Sequence, residues 1–236
     1  MIDLIIEYND SGVQIFADGY PGVSARGETR EEAMQKLPAA LAQYRAWTGQ
    51  GPREPMNEFR TVQECKSPAA VEDGETRVLF PSERLPMSMA TYTQLKSLCL
   101  RSAKDIETQF ISIPQKDRAL VKSRRCFYGR LPQTSREMQK HITAVQAAYA
   151  ARLGIALDPD GDLFTERVKL FTQLEAAPQF LENKIIEDET GEAWTRKKLL
   201  RRLLWHDRLH ARAMYRKAIT FWQKERIENP FRFAGK

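Results

Sequence analysis

TRKKLLRRLLWHDRLHARAMYRKA, residues 195–218, contains neither proline nor glycine and repeats apolar residues at the period of an α-helix. Thr195 is a natural N-cap for it. Leu199, Leu203, Met214 and Ala218 form one stripe that continues toward Phe221 or Trp222, and His206 and His210 fall within that stripe. Residues four apart on a helix emerge on one face about one turn apart, so the two imidazoles are expected side by side and facing inward. Arg196, Lys197, Lys198, Arg201 and Arg202 occupy the remaining positions of the first turns and are expected to form a solvated face. An anionic ligand, or less readily nucleic acid, is the alternative use of that charge.

Working toward the N-terminus, three more helical periods precede this one. Leu163 to Ile186 reads as a helix interrupted near Pro178. Before it, Asp158-Pro159-Asp160-Gly161 is a turn. A helix opening at Thr134 or Ser135, with Glu137 in its first turn, runs to Gly154 through Met138, His141, Ile142, Val145, Tyr149 and Leu153. The earliest, Thr91 to Ile113, aligns Leu95, Leu98, Cys99, Ser102, Ile106 and Phe110 and is stopped by Pro114. Four apolar-striped helices joined by loops predict an all-α four-helix bundle over residues 87–236.

The first part of the chain has a different grammar. Ile2–Tyr8 and Val13–Phe16 are rich in β-branched and aromatic residues and flank Asn9-Asp10-Ser11-Gly12, which reads as a hairpin. Gly19-Tyr20-Pro21-Gly22 turns the chain into a short strand, VSAR. Thr29 with Glu32 then matches a capping box, followed by an apolar face of Ala33, Leu37, Leu41 and Tyr44 in which Pro38 should introduce a kink. Residues 1–50 are thus expected to form a small β-β-β-α unit, and the class is α+β. Residues 51–86, punctuated by Pro52, Pro55, Pro68, Pro81 and Pro86, read as a linker with room for short strands. Charge changes at the same place: 9 basic against 14 acidic residues through Pro86, then 28 against 17.

With 236 residues, 42% of them apolar, the chain can bury a sizeable core, and no run is long enough to span a membrane. The start, MIDLIIEYND, has no basic leader or long apolar stretch, which predicts a cytoplasmic location. Three widely spaced cysteines, Cys65, Cys99 and Cys126, form no Cys-x-x-Cys pair and argue against a disulfide framework or a thiolate zinc site. Cys99 and Cys126 read as small buried residues rather than nucleophiles.

The chain has only three histidines, His141, His206 and His210, and all three fall in apolar stripes. An inward imidazole needs a hydrogen-bond partner and packs poorly, so three together on facing helices are better explained as ligands of one divalent metal ion. A hydrogen-bonded surface patch beside Asp207 and Arg208 is the alternative for the pair. Asp207 lies about 100° round the helix from His206, and Arg208 or solvent is its expected partner. Glu137 is a candidate to line a cavity, or else a helix-start acid. Trp205 could wall the pocket or pack in the core.

Two resemblances sharpen these expectations. DGYPGVSARGETREEAMQKL, residues 18–37, resembles the HicB-like antitoxin domain, an interaction module; no ribbon-helix-helix or helix-turn-helix text follows it. LPQTSREMQKHITAVQAAYAARLG together with TRKKLLRRLLWHDRLHARAMYRKA resembles the DinB superfamily (DinB/YfiT-like) of four-helix bundles. That family carries one histidine on its second helix and a His-x-x-x-His pair late in the chain. The resemblance implies a nickel, zinc or iron ion on His141, His206 and His210, and transfer or isomerisation that uses a low-molecular-weight thiol; the expected function is a metal-dependent transferase or hydrolase-type enzyme. The expected partner is a small-molecule substrate or thiol, not nucleic acid and not a membrane, with a homodimer left open. A noncatalytic regulatory protein with a structural metal remains the alternative.

Overall fold

Asn9-Asp10-Ser11-Gly12 turns the chain between β1 (Ile2–Asn9) and β2 (Gly12–Ala17), which pair antiparallel with Ile5 opposite Phe16 and Ile6 opposite Ile15. In this computed structural model, which describes residues 1–51 and 58–235, β3 (Ser24–Gly27) adds antiparallel to β2. A fourth strand, β4 (Phe59–Lys66), lies within the stretch expected as a linker and pairs parallel with β1, giving the order β3-β2-β1-β4. Pro52 and Pro55 lie outside the described residues.

Helix α1 (Arg30–Thr48) crosses one face of the sheet and buries Ala33, Leu37, Leu41 and Tyr44. The Thr29 hydroxyl accepts from the Glu32 N–H, but the Glu32 carboxylate reaches back to the Glu28 N–H, so only half of the expected capping box forms. The helix runs through Pro38 unbroken. Pro38 lies on the exposed side, where the carbonyl left without an amide partner can turn to water.

The other face of the sheet, carrying Ile5 and Phe16, is covered by Val78, Phe80 and Trp205. The segment after β4 is therefore part of the interior, with Val78, Leu79, Phe80 and Glu83 all buried. Trp205 belongs to this seam. Its indole N–H donates to Ser24 Oγ at 3.0 Å, and its ring meets Phe16 edge-on.

Four further helices follow: α2 (Met89–Ser112), α3 (Ser135–Ala151), α4 (Leu163–Ala176) and α5 (Arg196–Ala218). Helix α5 packs on α2 and α3, and α2 also packs on α4. Helix α4 stops ten residues short of the expected Ile186. Pro178 holds Ala177 in an extended conformation, as a residue before proline prefers, and Ile186 joins the small hairpin β7 (Ile186–Glu187) and β8 (Ala193–Trp194). A second small hairpin, β5 (Arg125–Cys126) and β6 (Gly129–Arg130), lies between α2 and α3. One continuous apolar core joins sheet, α1 and the four later helices. No described helix is long and apolar enough to cross a membrane.

Candidate metal centre

Thr134 and Thr195 fix where α3 and α5 begin. The Thr134 hydroxyl accepts from the Glu137 N–H while the Glu137 carboxylate accepts from the Thr134 and Gln133 N–H groups, a full capping box. Glu137 is thus a helix-start acid, further held by Arg130, and not a cavity group. Two turns after Thr134, α3 presents His141; facing it, α5 presents His206 and His210.

The three rings converge. Their centroids are 5.2 Å (His141–His206), 4.8 Å (His141–His210) and 4.4 Å (His206–His210) apart, and one nitrogen from each lies within 4.8 Å of the others. His206 Nε2 and His141 Nε2 are separated by 3.3 Å. Tetrahedral ligands at about 2.0–2.1 Å from an ion stand about 3.3 Å from one another, so this edge already has the length a bound ion requires. Burial holds the His141 imidazolium down to about 4 and that of His210 to about 3. His206, buried beside both other rings and near Arg202 and Arg167, is held well below the ordinary histidine value. All three are neutral at pH 7, and a neutral imidazole is the form that donates a lone pair to a metal.

Asp207 corrects the sequence expectation. It is buried and meets Arg167 of α4, with Nη1 to Oδ2 at 3.1 Å and Nη2 to Oδ1 at 3.2 Å; it also accepts from the Ser102 hydroxyl of α2. Arg167 further donates to the Cys99 carbonyl and to Gln146 of α3. This polar strut ties α2, α3, α4 and α5 together and sets the rotation of α5 that aims His206 inward. The Cys99 thiol beside it is fully buried and pushed up to about 12 by desolvation, which leaves it unreactive at neutral pH.

The basic run of α5 is corrected as well. Lys198, Arg201 and Arg202 are buried, not solvated. Lys198 Nζ donates to Glu192 and to the Arg77 and Ala193 carbonyls. Arg201 forks onto Glu83, with its guanidinium 3.9 Å from the Phe80 ring centroid. Arg202 donates to Glu192 and to the Tyr149 hydroxyl, each at 2.9 Å. Two elements invisible in local sequence, the 76–84 segment and the β7–β8 hairpin, cover this face. Charges spent on protein partners in this way are not available to a phosphate backbone.

The histidines line a cavity of about 380 Å³, within the range of small-molecule sites. Tyr128, at the tip of the β5–β6 hairpin, stacks on His141 at 4.7 Å and 25°. Tyr149 meets His206 edge-on at 5.9 Å. Phe127, Trp194 and Arg202 complete part of the wall. Sequence reasoning missed the hairpin, although Phe127-Tyr128-Gly129 carries the aromatic-then-glycine text of a tight turn, and Gly129 does adopt φ +115°. Arg124 reaches the rim and pairs with Asp73, whose second oxygen accepts from the Phe127 N–H. Cys126 is half-buried on the same hairpin, against the Gly129 carbonyl. No protein-family model, curated protein or solved structure matches the chain.

Proposed function

We propose that this chain is a divalent-metal protein of the DinB-superfamily type, with nickel, zinc or iron held by His141, His206 and His210. On this reading it is a transferase or hydrolase-type enzyme that acts on a small molecule through a metal-activated water or low-molecular-weight thiol. Helices α2 to α5 are then a DinB-like four-helix bundle, and the sheet with α1 a HicB-like module. The observation that carries the reading is the convergence of three neutral imidazoles on one point of a cavity wall.

A divalent ion held there would lower the pKa of a coordinated water or thiol and polarise a substrate oxygen. Because the three ligands are uncharged, the ion's full charge would act on whatever else it binds. The chain's own residues supply the rest. The Arg167–Asp207 strut holds α5 in rotation. Tyr128 and Tyr149 flank the imidazoles, and Arg202 fixes the Tyr149 hydroxyl. A cavity opening in front of the histidines supports catalysis over a metal that only braces the fold, since structural sites are closed on all sides by protein ligands.

Metal analysis of the purified chain tests the reading. Stoichiometric metal is expected, lost on His206→Ala and strongly weakened on His141→Ala or His210→Ala. A cobalt-substituted protein should change its visible spectrum when a small thiol is added. Metal content indifferent to all three substitutions would end the proposal; a cobalt spectrum unmoved by thiols and by anions would leave only the structural-metal alternative.

A further inference from the structure

The cavity wall is built from both ends of the chain, and one of its arginines is unlike the others. Asp73 holds Arg124 and the Phe127 N–H. Glu192 holds Arg202 and Lys198. Glu75 accepts from the Ala70 N–H and lies 3.8 Å from Arg77, and Arg152 pairs with Asp188 and Glu189. Among the described residues Arg26, on β3, forms no salt bridge: its Nη1 donates to the carbonyls of Glu72 at 3.1 Å and Val71 at 3.5 Å. Asp73, whose charge reaches it, is spent on Arg124, and the Arg26 charge is felt at His210.

Gly74 lies against this arginine. It adopts φ +83°, and a Cβ there would stand 2.9 Å from Arg26 Nη1 and 3.2 Å from Leu209 Cδ2. The backbone at Gly74 therefore passes close beside the guanidinium, and Arg26, Gly74 and His210 line the same cavity. One half-buried guanidinium with no carboxylate in direct contact, beside a neutral metal-ligand set, matches a monoanion better than a dianion, and its planar fork suits a carboxylate. Phe127, Tyr128, Tyr149 and Trp194 offer an apolar, largely aromatic surface for the remainder of such a molecule.

We infer that Arg26, carried into the cavity by the N-terminal sheet, anchors the carboxylate of a small substrate with an aromatic or apolar body. The inference rests on the proposed metal site for its chemistry, and it gives the N-terminal unit a part in the site itself. The test is calorimetric titration of the full-length, zinc-loaded protein, its zinc content measured beforehand, with phenylacetate, phenylacetamide and phenyl phosphate. Wild type should prefer phenylacetate to the amide by about tenfold or more, the weight of a charge-assisted hydrogen bond, and should prefer it to the phosphate. Arg26→Gln should erase the preference with zinc content unchanged, and Arg26→Lys should keep part of it, as a point charge without the fork. Thermal midpoints of both variants report whether folding is intact, and Arg26→Lys decides the matter if Arg26→Gln does not fold. Equal affinities, no binding of either aryl ligand, a preference for the phosphate, or a carboxylate preference that survives both substitutions overturns the inference. Repeating the titrations on metal-free protein separates the two readings, because failure to retain zinc refutes the metal site while the Arg26-dependent preference is still read.

Discussion

Asp207→Asn should be among the most damaging conservative substitutions in this chain, although Asp207 touches no substrate. Its side chain is 1% exposed and that of Arg167 is 0% exposed, and their double contact is supplemented by the Ser102 hydroxyl. Removing one partner of a buried pair leaves an uncompensated charge, at about 3–5 kcal/mol. Asparagine preserves shape and one acceptor, so the lower end of that range is expected. At about 2–4 °C per kcal/mol for a chain of this length, the melting midpoint should fall by roughly 6–12 °C. Arg167→Leu should reach the upper end, because it strands a carboxylate among apolar side chains. The double variant Arg167→Leu/Asp207→Leu should recover much of the loss, since a well-packed apolar pair can replace a buried ion pair at little net expense. Guanidinium denaturation of the four proteins, with zinc affinity measured on each, gives the coupling directly. Zinc affinity should fall with Asp207→Asn because α5 loses the contact that sets its rotation. A midpoint within 2 °C of wild type, or a double variant worse than the sum of the singles, would refute the strut argument.

Other outcomes follow from the same geometry. The metal-free protein should lose stability on acidification: the folded-state values of all three histidines lie below the ordinary value of 6.5, so their contribution is complete above about 6.5 and is lost as pH falls toward about 4 for His141 and about 3 for His210. Each histidine adds up to about 1.4 kcal/mol per pH unit in that window, and His141→Gln should flatten the curve measured by urea melts; an unchanged slope would count against buried neutral imidazoles. Metal affinity should fall over the same interval as protons compete for the nitrogens, read by cobalt absorbance against pH. Trp205→Ala should cost about 3–5 kcal/mol, because its ring joins the sheet to α5 through Phe16, Val78 and Phe80; a loss under 1 kcal/mol in denaturant melts would mean that seam contributes little. Thr134→Ala should cost about 1 kcal/mol and weaken metal binding modestly, since it frays the helix start two turns before His141.

Much of the local structure is legible in residue order. The hairpin turn at Asn9–Gly12, the caps at Thr29, Thr134 and Thr195, and the apolar face of α1 are short-range consequences of hydrogen bonding and periodicity. Errors have two sources, a local break given too little weight and a partner supplied by a distant segment. Helix α4 ends early because the local effect of Pro178 prevails over the apolar pattern beyond it. Asp207 is misassigned because Arg167, its true partner, is 40 positions away. The inward direction of His141, His206 and His210 is legible because it follows from stripe position alone.

What residue order alone determines here is which side of each helix carries apolar groups and imidazoles, since a 3.6-residue period needs no knowledge of neighbours. Only the tertiary structure decides what covers the other side. Lys198, Arg201 and Arg202 look like a solvated face until Glu83 from a remote segment and Glu192 from the hairpin just before the helix fold back to neutralise them. Arg26 looks like an ordinary strand arginine until the fold places it, beside the Gly74 turn, in the wall of the histidine cavity. The reason is that burying a charge depends on where its counter-charge comes to rest in space, and the folding of the whole chain sets that position.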